Sequence, residues 1–446
     1  MSTLQIYLSL GIFAAVIVAI ALDLIDMAVA ALLGVCALIA SGVLGGQDAA
    51  PILDIAGGPL ALLFGGMVVA RTLATTGIFE RIGSSLLRAT GGSGKRFLLL
   101  LIALVAPVCA LLPNATAVVL LAPIIIRLAV ALKVDIVAPM ILTAIVSNSA
   151  GLLTLVGDPA TFLVGSSIGM SFGQYLHTVS LGGLLSVLVL IPMLPVLFRD
   201  VWRVQTPLPP VEPPKPIERP WFAVLGLGTL AAMVVLFLGG ESLPKPIGPP
   251  AAAIVGAALA LLAVYAAKIE PVEAVLRDID WKTLVFLTAI FCLVQGVSKT
   301  GLLQSLSLSL NASFGNHLIA VALVLLAGIG VLSGLLANTP VVAASLVMVK
   351  GYLVAAEAVP ELGMAPGFAD WPAATVPVFV AMMFGGTLGG NGTLIGASAN
   401  VVAAGICASQ GRRVTFAGFL RYGLPVAAAQ IVVSAIYVLI LFQFRQ

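Results

Sequence analysis

Charged side chains are scarce in this sequence. Only 9% of its 446 residues are Asp, Glu, Lys or Arg, while 61% are hydrophobic, whereas a soluble domain ordinarily has about 25% charged residues. Together with a mean hydropathy of +1.19, this composition excludes an ordinary water-soluble fold. The net charge is only +3, which gives no reason to expect a nucleic-acid partner.

Cysteine is also rare, and catalytic motifs are missing. The four cysteines, Cys36, Cys109, Cys292 and Cys407, lie far apart without C-x-x-C spacing, so we predict neither a disulfide framework nor a metal site. The sequence contains no P-loop, no dinucleotide fingerprint and no nucleophile–base pair. We therefore predict that the protein is not an enzyme and has no cofactor.

Long apolar stretches are what the sequence has instead. Segments near the length that spans a bilayer, about 20 residues, recur from 4–20 through 432–442. Because these runs are long and do not alternate with polar residues, we predict an all-α polytopic membrane protein and not a β-barrel. No basic region precedes the first stretch, so we expect it to be a true span and not a cleaved signal.

The sequence repeats itself at a coarse level. Gly77 corresponds to Gly301, and Asn114 corresponds to Asn338 at the same offset. In each copy the asparagine belongs to a short polar cluster inside an apolar segment. The chain is therefore predicted to consist of two copies of one unit.

Two later stretches fix the boundaries of the repeats. The polar stretch 147–158 corresponds to 386–397. We predict an N-terminal transmembrane repeat over 1–198, a proline-rich cytoplasmic linker over 199–220 and a C-terminal transmembrane repeat over 221–446.

Lysine and arginine are unevenly distributed between the connections, and this predicts the topology. Basic connections are assigned to the cytoplasm and acidic ones to the outside. The arrangement fits only if each repeat has about five crossings, one re-entrant hairpin and one interrupted helix (136–168 and 374–410), with a span near 59–77 among the crossings. An odd number of crossings makes the repeats inverted, which is typical of secondary transporters. The basic segments are 79–96, 127–135, 199–219, 268–282 and 412–421, and the acidic ones are 46–58 and 355–372.

Four polar clusters interrupt the apolar segments, at 113–116, 147–158, 337–340 and 389–400. Their prolines and glycines break helices, and broken helices expose N–H and C=O groups that can bind a polar solute or a cation. The alternative is that these Ser, Thr and Asn side chains cap the helices or join neighbouring ones. The predicted substrate-binding residues are Asn114, Thr116, Ser147, Asn148, Thr154, Asn338, Thr339, Asn391, Thr393, Ser398 and Asn400.

Asp158 is the only acidic residue in the four clusters, and Ala397 occupies the corresponding position in the second repeat. A carboxylate inside a membrane is costly and suggests a function. We predict that Asp158 couples transport to protons. The alternative is that it caps the helix that begins at Pro159.

The two interruptions, Ser147–Pro159 and Gly389–Asn400, and the tips at Asn114 and Asn338 resemble those of the ion transporter superfamily. That group includes arsenite efflux permeases, sodium/proton antiporters, pink-eyed-dilution-type proteins and citrate or dicarboxylate carriers. The chain looks most like the arsenite/antimonite permeases. This resemblance implies export of arsenite or antimonite across a bacterial inner membrane, in exchange for protons or driven by a cytoplasmic arsenite-stimulated ATPase.

Three alternatives stay open. Dicarboxylate carriers of the superfamily have Ser-Asn-Thr triplets at their tips, whereas this chain has Pro-Asn-Ala-Thr and Ala-Asn-Thr-Pro. This difference disfavours a dicarboxylate or anion carrier without excluding it, because helix N-termini can hold an anion. A sodium/proton antiporter and a passive channel for polar solutes are the other two.

Overall fold

The protein is all-helical in the regions that the structure describes. The computed structural model describes residues 2–21, 24–207, 219–364 and 368–445. Within these ranges, eleven helical segments are long and apolar enough to cross a membrane. The prediction of an all-α polytopic membrane protein is confirmed.

The helices of the first half include the first tip and the first interruption, and the last of them, Arg199–Trp202, lies within the predicted linker. They are α1 (Thr3–Ala21), α2 (Met27–Ala40), α3 (Ala49–Ala74), α4 (Ile78–Thr90), α5 (Gly94–Cys109), α6 (Asn114–Ala131), α7 (Val137–Ala150), α8 (Pro159–Ser167), α9 (Phe172–Tyr175), α10 (Leu181–Leu188), α11 (Leu190–Leu197) and α12 (Arg199–Trp202). A π-helical turn joins α9 to α10, so these two and α11 form one apolar segment.

The helices of the second half follow the linker. They are α13 (Pro220–Gly239), α14 (Pro249–Ala267), α15 (Val272–Arg277), α16 (Trp281–Ser298), α17 (Leu302–Phe314), α18 (Leu318–Leu335), α19 (Asn338–Ala355), α20 (Val376–Gly389), α21 (Ser398–Ser409) and α22 (Phe416–Phe444). Of the predicted linker, 208–218 lies outside the described residues.

Both predicted tips and both predicted interruptions are present. Helices α5 and α6 meet at Pro113, and α18 and α19 meet at Ala337. The polar stretches between α7 and α8 and between α20 and α21 are not α-helical. The halves thus share one order of elements, while the repeat boundaries and the inverted orientation stay predictions.

Helix α3 is longer than the sequence suggested. We expected a span near 59–77, but the helix begins at Ala49 and contains Pro59. Gly58 faces the ring of Phe162, where a Cβ would lie 2.6 Å from a ring carbon. Packing of α3 against α8 and α14 therefore keeps the Gly-Gly-Pro stretch helical, although its local propensity favours a loop.

The two halves pack together in two groups. In the first group, α2 contacts α16, and α3 contacts both α14 and α16. In the second group, which contains the tips and the interrupted helices, α6 and α7 pack against α21, and α8 packs against α19 and α20. The polar clusters of both repeats are thereby brought to one place.

Two ion-pair clusters join the halves around α3 and α16. The ammonium of Lys299 lies 2.9 Å from a carboxylate oxygen of Asp48, which is buried, and also donates to the Val43 carbonyl. Arg71 lies 3.0 Å from Glu270 and 2.8 Å from Asp278. Because breaking the pair would leave the buried Asp48 carboxylate uncompensated, the Lys299 contact constrains the register between the halves, while the Arg71 cluster is partly exposed.

We predict that Gly385→Ala destabilises the protein. A Cβ at this position of α20 would lie 2.6 Å from the Leu326 carbonyl oxygen of α18, and forcing such a contact costs about 1–3 kcal/mol. Thermal unfolding in detergent should show a lowered midpoint. Gly405→Ala is the matched control, because a Cβ there meets nothing within 4 Å; equal midpoints for the two variants would contradict the prediction.

Candidate functional site

Four helix N-termini surround one cavity at the centre of the protein. The cavity has a volume of about 410 Å³, and its lining includes the first residue of α6, α8, α19 and α21, namely Asn114, Pro159, Asn338 and Ser398. A helix N-terminus carries unpaired N–H groups and about half a positive charge. The cavity is therefore suited to a solute that is rich in oxygen atoms.

Asn114, at the first tip, lines this cavity, and its side-chain oxygen is buried. Its side chain is 6% exposed, and its Oδ1 has no hydrogen-bond partner in the described part of the chain. At the second tip, Asn338 Oδ1 accepts from the backbone N and hydroxyl of Thr339, at 2.8 and 3.2 Å. The corresponding residue of the first tip, Ala115, has no hydroxyl. A buried acceptor without a donor is costly, so Asn114 is a candidate ligand for a donor on the solute.

Asp158 lies in the same cavity lining and is 4% exposed. Its backbone carbonyl begins α8 by accepting from Phe162 N. Thr387 Oγ1 donates to Oδ2 of the carboxylate at 3.4 Å, and the Asn338 side chain also hydrogen-bonds to it. Among the described residues, no lysine or arginine forms an ion pair with Asp158, so no cationic side chain neutralises its carboxylate.

A buried amide network joins the two interruptions. Asn148 Nδ2 donates to Asn391 Oδ1 and to Asn400 Oδ1, at 3.1 Å each. Asn391 Nδ2 donates to Ser149 Oγ and to Gln430 Oε1, at 3.0 and 2.8 Å. These amides satisfy one another, and their first role is to hold the broken helices together.

Equivalent hydroxyls fasten each interruption to its own tip. Thr154 Oγ1 donates to the Ala110 carbonyl, and Thr393 Oγ1 donates to the Gly334 carbonyl. These contacts occupy corresponding positions in the two repeats. In the first repeat, Ser147 Oγ also donates to the Asn114 carbonyl, at 3.0 Å.

The polypeptide also folds back on itself in the same way within each interruption. A Cβ at Gly157 would lie 2.9 Å from the Gly151 carbonyl oxygen, and one at Gly396 would lie 2.6 Å from the Gly390 carbonyl oxygen. Only glycine allows this approach. The spacing of glycines in the two polar stretches therefore reflects backbone packing.

The structure divides the predicted substrate residues into two sets. Those that line the central cavity, together with Asp158, are Asn114, Asn148, Asn338, Thr339 and Ser398. Those that do not line it are Thr116, Ser147, Thr154, Asn391, Thr393 and Asn400. Thr116 instead lines a neighbouring cavity of about 430 Å³ between α3 and α6.

Sequence reasoning missed Gln430, which completes the amide network. Its Nε2 donates to Ser149 Oγ and to the Ser186 carbonyl, at 2.8 Å each. A lone amide in the middle of the apolar helix α22 is the signal that could have identified it, because such a group needs partners inside the protein.

Sequence reasoning also missed an ion pair in the cavity lining. Lys282 Nζ lies 2.5 Å from Asp26 Oδ2, and Asp26 also caps α2 by accepting from Ala28 N. The hydrogen bond from Lys282 holds the pKa of the Asp26 carboxyl below its usual range. The pair is therefore intact at neutral pH, and its contribution is lost as the pH falls through that lowered pKa.

The cysteines do not meet at this site. All four are free in the structure, with Cys109 and Cys407 buried, and the described residues contain no group of three or more His, Cys, Asp or Glu that could hold a metal ion. None of the four lines the central cavity.

Known proteins resemble this chain over most of its length. A family model described as citrate transporter (CitMHS) matches residues 17–369. An uncharacterized transporter of Synechocystis sp. is 43% identical over 432 residues, which is 96% of each chain. An uncharacterized transporter of Mycobacterium tuberculosis is 29% identical over 433 residues, again 96% of each chain. The P protein of Homo sapiens is 25% identical over 517 residues, covering 98% of this chain and 60% of that protein.

We predict that Gln430→Ala lowers stability by about 1–3 kcal/mol, since it leaves buried partners of the amide network unsatisfied. The midpoint of thermal unfolding in detergent measures this effect. Gln410→Ala is the control, because Gln410 is exposed at the end of α21 and exposed substitutions usually change stability by less than about 0.5 kcal/mol. An unchanged midpoint for Gln430→Ala would show that the network does not hold the interruptions together.

Proposed function

The chain belongs to the CitMHS citrate transporter family, and on this premise we propose that it exchanges a small hydroxylated solute, arsenite or antimonite, for protons. That it is a multi-pass membrane transporter and not an enzyme follows from the family, from its transporter relatives and from its eleven candidate spans. The bacterial relatives support a plasma-membrane location.

The free acceptor at the first tip is the observation that carries the proposal. Asn114 Oδ1 is a buried acceptor without a donor among the described residues, so it is costly unless the cargo supplies one. Near neutral pH, arsenite is an uncharged molecule with three hydroxyl groups, each of which can donate. A fully ionised carboxylate group cannot donate to either residue.

The rest of the cavity can serve the oxygen atoms of the same solute. N–H groups at the N-termini of the four helices, and the hydroxyl of Ser398, supply donors around the cavity. A neutral cargo also avoids repulsion by Asp158, which an anion would meet at short range.

Exchange follows if the cargo and the proton compete for Asp158. The ionised carboxylate accepts a hydroxyl of the cargo at either oxygen, whereas protonation removes its charge and turns one of these acceptor sites into a donor. A proton that arrives from outside therefore promotes release of the cargo there, and loss of the proton inside restores the binding site. Proton entry is coupled to solute exit in this scheme.

We predict that Asp158→Asn abolishes the dependence of arsenite transport on the pH gradient, because an amide side chain does not bind and release a proton near neutral pH. Arsenite flux into proteoliposomes, measured with and without an imposed pH gradient, tests this. Asp54→Asn, which alters an exposed carboxylate of α3, should behave as the unaltered protein does. Gradient-driven flux in Asp158→Asn would remove this residue from the coupling, and flux that requires an added ATPase would replace protons as the driving force.

We predict that Asn114→Ala weakens arsenite binding by about tenfold, the equivalent of one lost hydrogen bond of about 1.4 kcal/mol. The dissociation constant of the purified protein measures the change. Asn316→Ala removes an exposed amide and should leave binding unchanged. Equal affinity in both variants would exclude Asn114 as a ligand of the cargo.

A carboxylate such as citrate is the second candidate cargo. The four converging helix N-termini favour an anion, and the description of the family names citrate. Transport of citrate but not arsenite by the unaltered protein, in the same proteoliposomes, would establish this alternative and overturn the first.

A further inference from the structure

One cationic side chain is present among the residues that line the central cavity, and it is already paired. Lys282 is the single lysine or arginine among the described residues of that lining, and its ammonium lies 2.5 Å from Asp26 Oδ2. The two side chains are 52% and 40% exposed, so both can be reached from the cavity or from solvent. Asp26 precedes α2 in the first half, and Lys282 is the second residue of α16 in the second half.

The pairing with Asp26 neutralises the ammonium of Lys282, which would otherwise favour an anionic cargo. Without Asp26, an exposed ammonium would attract anions to a cavity that four helix N-termini already favour for negative oxygens. With Asp26 in place, the pair presents no net charge, and an anion must displace a carboxylate that is itself held by the amide of Ala28, at 2.9 Å. A neutral solute meets no such competition.

We propose that the Asp26–Lys282 pair is a charge filter, in which Asp26 keeps Lys282 from binding anionic solutes in the central cavity. Asp26 and Lys282 are thus specificity-determining residues. This inference rests on the proposed neutral cargo, and it makes a separate claim about anions.

The test is a double-mutant cycle on the purified protein, with citrate as the anionic probe. The measured quantity is the shift of the thermal unfolding midpoint with ligand concentration, which gives an apparent dissociation constant. Asp26→Asn should bind citrate at least about tenfold more tightly than the unaltered protein, the scale of one charge-assisted hydrogen bond. Lys282→Gln and the double variant Asp26→Asn/Lys282→Gln should show no gain.

Two further variants control for poor folding of Asp26→Asn and for the general effect of removing a carboxylate. Asp26→Ser removes the charge but keeps an oxygen that can cap α2, so it should show the same gain even if Asp26→Asn folds poorly. Asp135→Asn is the matched control: Asp135 also accepts from a backbone N at the start of a helix, Val137 N at 3.0 Å, and pairs with Arg412, but it lies outside the cavity lining. It should show no gain.

The proposal is overturned if the charge-removing variants bind citrate no more tightly than the unaltered protein, if the double variant keeps the gain, or if Asp135→Asn matches Asp26→Asn. A parallel titration with arsenite separates this result from the proposed function. If the variants bind citrate more tightly but arsenite does not shift the midpoint of any form, the filter is supported and the arsenite assignment is refuted. If arsenite shifts the midpoint but no variant binds citrate more tightly, the arsenite assignment is supported and the filter is refuted.

Discussion

A break in a membrane-embedded helix frees backbone N–H and C=O groups that lipid cannot satisfy, and this requirement organises the centre of the protein. The Thr154 and Thr393 hydroxyls bind carbonyls at the two tips, and the amides of Asn148 and Asn391 join one interruption to the other. Most of the polar residues in the four clusters therefore stabilise broken backbone. The acceptors left over, above all Asn114 Oδ1, define the site.

Few charged side chains line the cavity, and their pairing favours a neutral cargo. Asp158 has no cationic partner among the described residues, whereas Lys282 is paired with Asp26. Because charges interact strongly in a medium of low dielectric constant, a neutral solute can enter without rearranging either group. The proposed proton exchange at Asp158 and the proposed filter at Lys282 both follow from this distribution of charge.

The two halves agree in backbone architecture and differ in chemistry. Close glycine approaches and threonine contacts recur at corresponding positions of both interruptions. Asp158, however, corresponds to Ala397, and Asn338 Oδ1 is satisfied by Thr339 whereas Asn114 Oδ1 has no partner among the described residues. The repeated contacts build the cavity, and the unmatched residues of the first half give it its acceptors.

The sequence by itself determined the all-helical membrane fold, both tips, both interruptions and the solitary carboxylate Asp158, because long apolar runs and helix-breaking residues act locally. Only the tertiary structure decided which polar residues line the cavity. Asn391 and Asn400 could not be distinguished from Asn114 by residue type, since the difference lies in whether distant side chains satisfy them. Gln430 and the Asp26–Lys282 pair depend likewise on contacts between segments far apart in the chain, and no local pattern records such contacts.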